Sequence, residues 1–201
     1  MDTAEQLREL RRELRSMMSG PVSASMREKG LAYKLNFGVD AVRLRELAAR
    51  LPHTHELAAA LWKEDVREMR LLAPMVQPTE SFPPELADLW VEQIRYPEEA
   101  EYATMHLFAR LPYASQKAFE WMAHAGAMFR LCGFLLMARL MMQGALPGER
   151  DTDEILDQAA AALHDDSAHV RRAAAKCLVK LEDALPATAD RVEALLGEQA
   201  G

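Results

Sequence analysis

Cysteine is scarce in this chain, with only Cys132 and Cys177 among 201 residues. Both sit in apolar stretches with helical spacing, so no disulfide framework is expected and the pair reads as unpaired core residues of a reducing compartment. Long apolar runs are missing as well. The most apolar stretch, residues 125–142, contains Arg130 and Arg139 and is too short and too charged to span a bilayer, so no membrane partner is expected. No segment sustains an apolar/polar alternation with β-branched enrichment, so no strand is predicted. There is no glycine-rich phosphate loop and no Gly-x-Ser-x-Gly elbow, which removes P-loop and α/β-hydrolase chemistry from consideration. His53-Thr54-His55, and His164-Asp165-Asp166 with His169, carry ligand-type side chains but lack helical His spacing or Cys partners. Neither a metal nor a cofactor is therefore expected. Residues 1–15 mix acid and base without an apolar core, so a secretory leader is not expected and the cytoplasm is the expected location.

What is present is ordinary for a globular chain: half the residues are apolar and about a quarter are charged. The length favours one domain over 1–201, with a helical lead-in at 1–39 and stacked helix pairs from 40 to 201. A net charge of −7 argues against indiscriminate nucleic-acid binding, yet the charge is uneven. Residues 1–50 hold ten Lys/Arg against seven Asp/Glu, and the remainder hold fourteen against twenty-four. Such a distribution permits a local anion-binding surface.

Helical periodicity runs through the whole chain. Thr3-Ala4-Glu5-Gln6 has the form of a capping box, followed by an apolar stripe of Leu7, Leu10, Leu14, Met17 and Met18. Arg8, Arg11, Arg12 and Arg15 face Glu5, Glu9 and Glu13 at helical spacing, which predicts a self-paired solvated face. Gly20-Pro21 is expected to stop this helix, with a short one over 23–29. Further helices are expected from Val42 to Leu51, over 56–63 and 65–76, from Pro84 to Ile94, over 98–111, over 115–124 and over 125–142. The clearest element is 165–181, where Val170, Ala173, Ala174, Cys177, Leu178 and Leu181 form one apolar stripe. Asp166 and Ser167 are placed to cap its start, and 151–163 supplies a partner helix. A last helix is expected over 186–196.

This final pair, with its Asp-rich turn and Val170-Arg171-Arg172-Ala173 opening, resembles a HEAT repeat. One pair cannot bury its own apolar side, so it implies stacked neighbours. The expected fold class is all-α, a HEAT/armadillo-like helical-repeat superhelix (an α-solenoid) whose second helices line a concave side.

Several stretches, in order, resemble the HEAT-like-repeat DNA alkylation repair proteins, a family that includes glycosylases acting on alkylated purines. They are Phe37-Gly38-Val39 with Arg43-Leu44-Arg45-Glu46-Leu47-Ala48, Leu61-Trp62-Lys63 with Glu68 and Arg70-Leu71-Leu72-Ala73, Phe129-Arg130-Leu131, and Val170-Arg171-Arg172-Ala173. The resemblance spans about Ser23 to Leu181. It implies a catalytic carboxylate, two aromatic residues around the lesion and an arginine near the phosphates. A carboxylate stabilises charge developing on the sugar, aromatic faces attract a cationic base, and arginine fixes the backbone. Laid on this chain, the carboxylate position falls on Glu101, the two aromatic positions on Pro97 and Lys176, and the arginine on Arg130. The family's aspartate and aromatic cradle are thus not matched, and a lysine repels a cationic base.

Arg130 has two readings, a phosphate contact or a structural pair with Glu98, Glu99 or Glu101. The row Arg172, Lys176 and Lys180 with His169 is either a solvated face or, with Lys63, Arg67 and Arg70, a cationic track for a duplex backbone. Glu101 is the catalytic candidate, against a plain acidic first turn in which Glu98 and Glu99 also sit. Tyr102, His106 and Arg110 read as a stacked surface row, Trp62, Trp90 and Trp121 as core, and the methionines of 122–142 as core filler. Two functions follow. The first is a protein of this family gripping duplex DNA, acting as a glycosylase only if Glu101 substitutes for the aspartate. The second is a non-catalytic HEAT-type scaffold for a protein partner. Nothing in the sequence indicates an oligomeric state.

Overall fold

The computed structural model describes residues 2–197. Among the described residues every regular element is helical, and the one ladder-type contact is an isolated parallel bridge between Leu35 and Val66. No helix of the described residues is long and apolar enough to cross a membrane. The chain divides into two compact units, Met1–Phe82 and Pro83–Gly201.

The first unit contains α1 (Thr3–Ser16), α2 (Gly20–Glu28), α3 (Ala41–Arg50), α4 (His55–Lys63) and α5 (Arg67–Val76). All ten residues of α5 are buried, which makes it the centre of the unit. Local chemistry sets the helix starts. The Asp40 carboxylate accepts from the backbone N–H of Arg43 at 2.9 Å and of Val42 at 3.0 Å, opening α3. Those bonds, the Arg43 one foremost, hold its carboxyl below its ordinary value. Thr54 Oγ1 caps α4 by accepting from Leu57 N at 3.2 Å.

Three expectations fail here. Thr3 is not a cap: it lies inside α1, and Asp2 precedes the helix without a side-chain cap bond. Gly20-Pro21 does not merely end a helix; it opens α2, because proline needs no amide hydrogen in a first turn. The charged face of α1 pairs outward across the unit, Arg11 with Glu64 at 2.7 Å and Glu13 with Arg50 at 2.7 Å.

The second unit contains α6 (Pro84–Glu92), α7 (Pro97–His106), α8 (Ala114–Met122), α9 (Ala127–Met142), α10 (Glu149–Ala162), α11 (Ala168–Ala184) and α12 (Ala189–Gly197). The apolar α9 lies at its centre, against α6, α7, α8 and α11. Gly133 permits the tightest of these approaches. A Cβ there would collide with Met122 N and lie 2.8 Å from the carbonyl carbon of Trp121. Helix α7 is shorter than the sequence suggests, giving way at Leu107 to a 3-10 turn over Phe108–Arg110. Ser167, which precedes α11, offers it no side-chain cap bond, and Asp165 instead accepts from Ser167 N at 2.8 Å.

Most side chains expected in the core are there, but Met142, expected as core filler, is 55% exposed because it ends α9. Trp62, Trp90 and Trp121 are buried, as are Met122, Met137 and Met141. Cys132 and Cys177 are free and buried, and burial pushes the Cys177 thiol up to about 12. The Tyr102 and His106 rings are tilted at 45° to each other with centroids 5.5 Å apart, and Arg110 donates to the His106 carbonyl.

Candidate nucleic-acid interface

Burial divides the cations expected to contact DNA. In the first unit Arg67 and Arg70 are each only 6% exposed. Arg67 Nη1 donates to the Val39 carbonyl at 3.1 Å and lies 3.2 Å from the buried Glu68 carboxylate. Arg70 Nη1 donates to the Trp62 carbonyl at 2.6 Å, and its guanidinium stacks 4.1 Å from the Trp62 ring. Both are therefore internal braces and not surface phosphate contacts. Of the three candidates in this unit only Lys63, the last residue of α4, is exposed.

Arg130 is also engaged, though not with the acids expected. Its Nε and Nη2 reach Asp165 Oδ2 at 2.6 Å, and Nη1 donates to the carbonyls of His124 and Ala125. The partner is thus the aspartate of the turn before α11 rather than Glu98, Glu99 or Glu101. The guanidinium ties the start of α9 to the start of α11, and the Asp165 carboxylate is nearly buried beneath it.

The remaining cations flank a cleft within the second unit. Helix α9 forms its floor with Leu131, Leu135 and Ala138, α7 one wall with Pro97, Glu101 and Met105, and α11 the other with Arg172 and Lys176. The cleft has two lobes that share Glu101, Leu135 and Lys176. Their volumes, about 350 Å³ and about 250 Å³, stand near the lower end for small-ligand sites. The first lobe is bordered by Pro97, His169 and Arg172, the second by Thr104, Arg139 and Met142. Pro97 and Glu101 therefore line one cleft with Lys176, which is distant from them in sequence. Arg130 is not among its lining residues.

Lys176 and Glu101 are exposed, and neither forms a hydrogen bond or ion pair among the described residues. Arg172 donates to the Ala168 carbonyl at 3.1 Å and rests 3.4 Å from His169 Nδ1, and no carboxylate among the described residues pairs with it. Lys180, one turn beyond Lys176, is committed to Asp183 at 2.6 Å. Glu99 is buried and structural, accepting from Arg95 N at 3.0 Å. Among the described residues no cluster of His, Cys, Asp or Glu could hold a metal. His53 and His55 instead bond the Ala48 carbonyl and Gln77.

Sequence reasoning missed Arg139 and Thr104. The signal was available, since Leu135, Ala138, Arg139 and Met142 follow helical i, i+3, i+4, i+7 spacing. It was hidden because α9 is apolar nearly all round, so no face of it stood out.

Paired helices stacked on a buried central helix, with cations along one cleft, define a protein of the HEAT-like repeat class. The fold matches, with a TM-score of 0.86, a solved member of "a new family of proteins related to the HEAT-like repeat DNA glycosylases with affinity for branched DNA structures". That match covers 100% of this chain and 84% of the other, at 14% identity, so it is a likeness of fold. The chain belongs to the DNA alkylation repair enzyme family, whose model matches residues 10–190. No curated protein matches the sequence.

Proposed function

We propose that this chain binds DNA through the α7/α9/α11 cleft of its second unit and does not excise alkylated bases there. The observation carrying this reading is Lys176, an exposed cation with no partner among the described residues, set opposite Glu101 over an apolar floor. Arg172, one turn before it, adds a second positive charge. Such a pair attracts phosphate oxygens and repels the cationic base that an alkylpurine glycosylase must hold. Glu101 supplies a carboxylate, but Pro97 and Lys176, which line the cleft with it, offer no aromatic face to a base. Family membership and the DNA affinity of the structural relative support the DNA-binding half of the proposal. That relative's affinity for branched DNA extends the proposal to junctions.

A mobility-shift titration at low and moderate salt tests it, with a fully paired duplex beside a three-way junction. Binding that weakens with salt is expected, and Lys176→Ala should reduce the slope of log affinity against log salt by about one. Absence of any shift at low salt would end the reading. Incubation with methylated DNA is expected to release no free alkylpurine. Release that disappears in Glu101→Ala would instead establish excision.

A further inference from the structure

The lobe of the cleft bordered by Arg139 has a property that phosphate-backbone contact does not explain. Arg139 Nε is buried without a hydrogen-bond partner, and the side chain forms no ion pair among the described residues. Thr104 Oγ1, on a side chain that is 3% exposed, is likewise buried and unpartnered. Both residues line the same cavity of about 250 Å³, together with Lys176. Two cations thus meet a single carboxylate, Glu101, around a partly enclosed space, and a half-buried guanidinium without a counter-charge is costly. Met105 and Met142, which also line the cavity, are 46% and 55% exposed, so they offer water-facing apolar surface beside the two cations.

An occupant that satisfies this set carries a negative charge and a flat apolar body of modest size. We propose that the cavity seats one unstacked nucleotide of a branched or bulged DNA strand. Its phosphate is held by Arg139 and Lys176, and its base is laid against Met105, Leu135 and Met142. The Glu101 carboxylate can accept from exocyclic amino groups of the base, and flexible methionine side chains conform to any base face. Preference for a branch follows from energetics. A paired duplex must give up stacking to fill the cavity, whereas a bulge or junction already offers a loose nucleotide. This inference rests on the DNA-binding reading and adds the seat and its specificity.

The test uses the full chain and two otherwise identical duplexes, one fully paired and one with a single bulged fluorescent aminopurine. Wild type is expected to bind the bulged duplex about tenfold more tightly, the scale of one base contact, with a change in aminopurine fluorescence on binding. Arg139→Gln, and independently Leu135→Trp, which fills the cavity, should bring the ratio of the two affinities close to one. Circular dichroism would establish that each variant is folded, and the second variant keeps the test decisive if the first is not. Equal wild-type affinities, or unchanged ratios in both variants, would overturn the nucleotide seat while leaving DNA binding intact. Failure to bind either duplex would sink the DNA-binding reading itself. Displacement of the bulged duplex by free deoxynucleoside monophosphate at equal concentration would also overturn the proposal, assigning the cavity to free nucleotides.

Discussion

Glu68 is the residue whose loss should most damage the first unit, and the cost follows from its surroundings. It is fully buried, and its carboxylate accepts from Phe37 N at 3.1 Å and from Val39 N at 3.2 Å while lying 3.2 Å from Arg67 Nη1. Those bonds fasten the irregular segment between α2 and α3 onto the buried α5. Glu68→Ala leaves two buried amides without acceptors, at about 1–3 kcal/mol each, and removes a buried anion beside a buried guanidinium. Breaking a buried pair from one side costs about 3–5 kcal/mol, a range that already includes part of the amide penalty. A net loss of about 4 kcal/mol is a large fraction of the ~5–15 kcal/mol that holds a typical domain together. Glu68→Gln retains one acceptor oxygen and should lose about half as much. Urea unfolding followed by circular dichroism measures the loss, and hydrogen exchange at the Phe37 and Val39 amides localises it. If Glu68→Ala unfolded within about 1 kcal/mol of wild type, or if exchange at those two amides were unchanged, the clasp would not be what holds this segment.

Four further outcomes are expected. Gly133→Ala drives a methyl into the backbone of α8 and should destabilise the second unit by about 1–3 kcal/mol in urea; a neutral result would mean the two helices part freely. Arg130→Ala should lower the melting temperature by removing a bond of about 1.5–3 kcal/mol to Asp165, yet leave the salt slope of DNA binding unchanged, since that guanidinium is committed within the protein. Alkaline stability should fall above pH 10. Burial first, then Asp88 and Glu85, push the Tyr113 phenol up to about 12 from 10.0, so its contribution is whole below pH 10 and disappears as pH rises through about 12. Burial alone would lower the Lys117 ammonium, but its pairs with Asp88 and Glu120 outweigh that and raise it, adding a loss in the same direction. Tyr113→Phe should flatten the fall, as followed by melting temperature against pH. On the acid side, Asp40 helps hold α3 above its ordinary value of 3.8 and ceases to do so as pH falls through its lowered one, so Asp40→Asn should blunt the acid loss of helicity.

Helix existence was legible because its cause is local. The stripe Val170, Ala173, Ala174, Cys177, Leu178 and Leu181 is buried as its spacing requires, and the order of helix pairs followed from periodicity and proline breaks. Helix boundaries were less legible where two local signals competed. Gly20-Pro21 carries both a stop and a start signal, and α7 ends at Leu107 against a pattern that ran on to Leu111. The convergence of Glu101 and Lys176 on one cleft was anticipated only through a family resemblance, because nothing local links two positions so far apart in the chain.

The sequence by itself determined an all-helical chain of stacked pairs, its buried tryptophans and its two sheltered thiols, because apolar spacing along a helix dictates which face must leave water. Only the tertiary structure decided which cations remain available. Arg67, Arg70, Arg130 and Arg172 look alike as residues on helices. The first three are held inside the protein, Arg67 at the Val39 carbonyl and Glu68, Arg70 at the Trp62 carbonyl and ring, and Arg130 at Asp165, while Arg172 is exposed and meets no carboxylate among the described residues. The charge of a side chain is a property of its residue, but its freedom to meet a phosphate depends on what the fold places beside it.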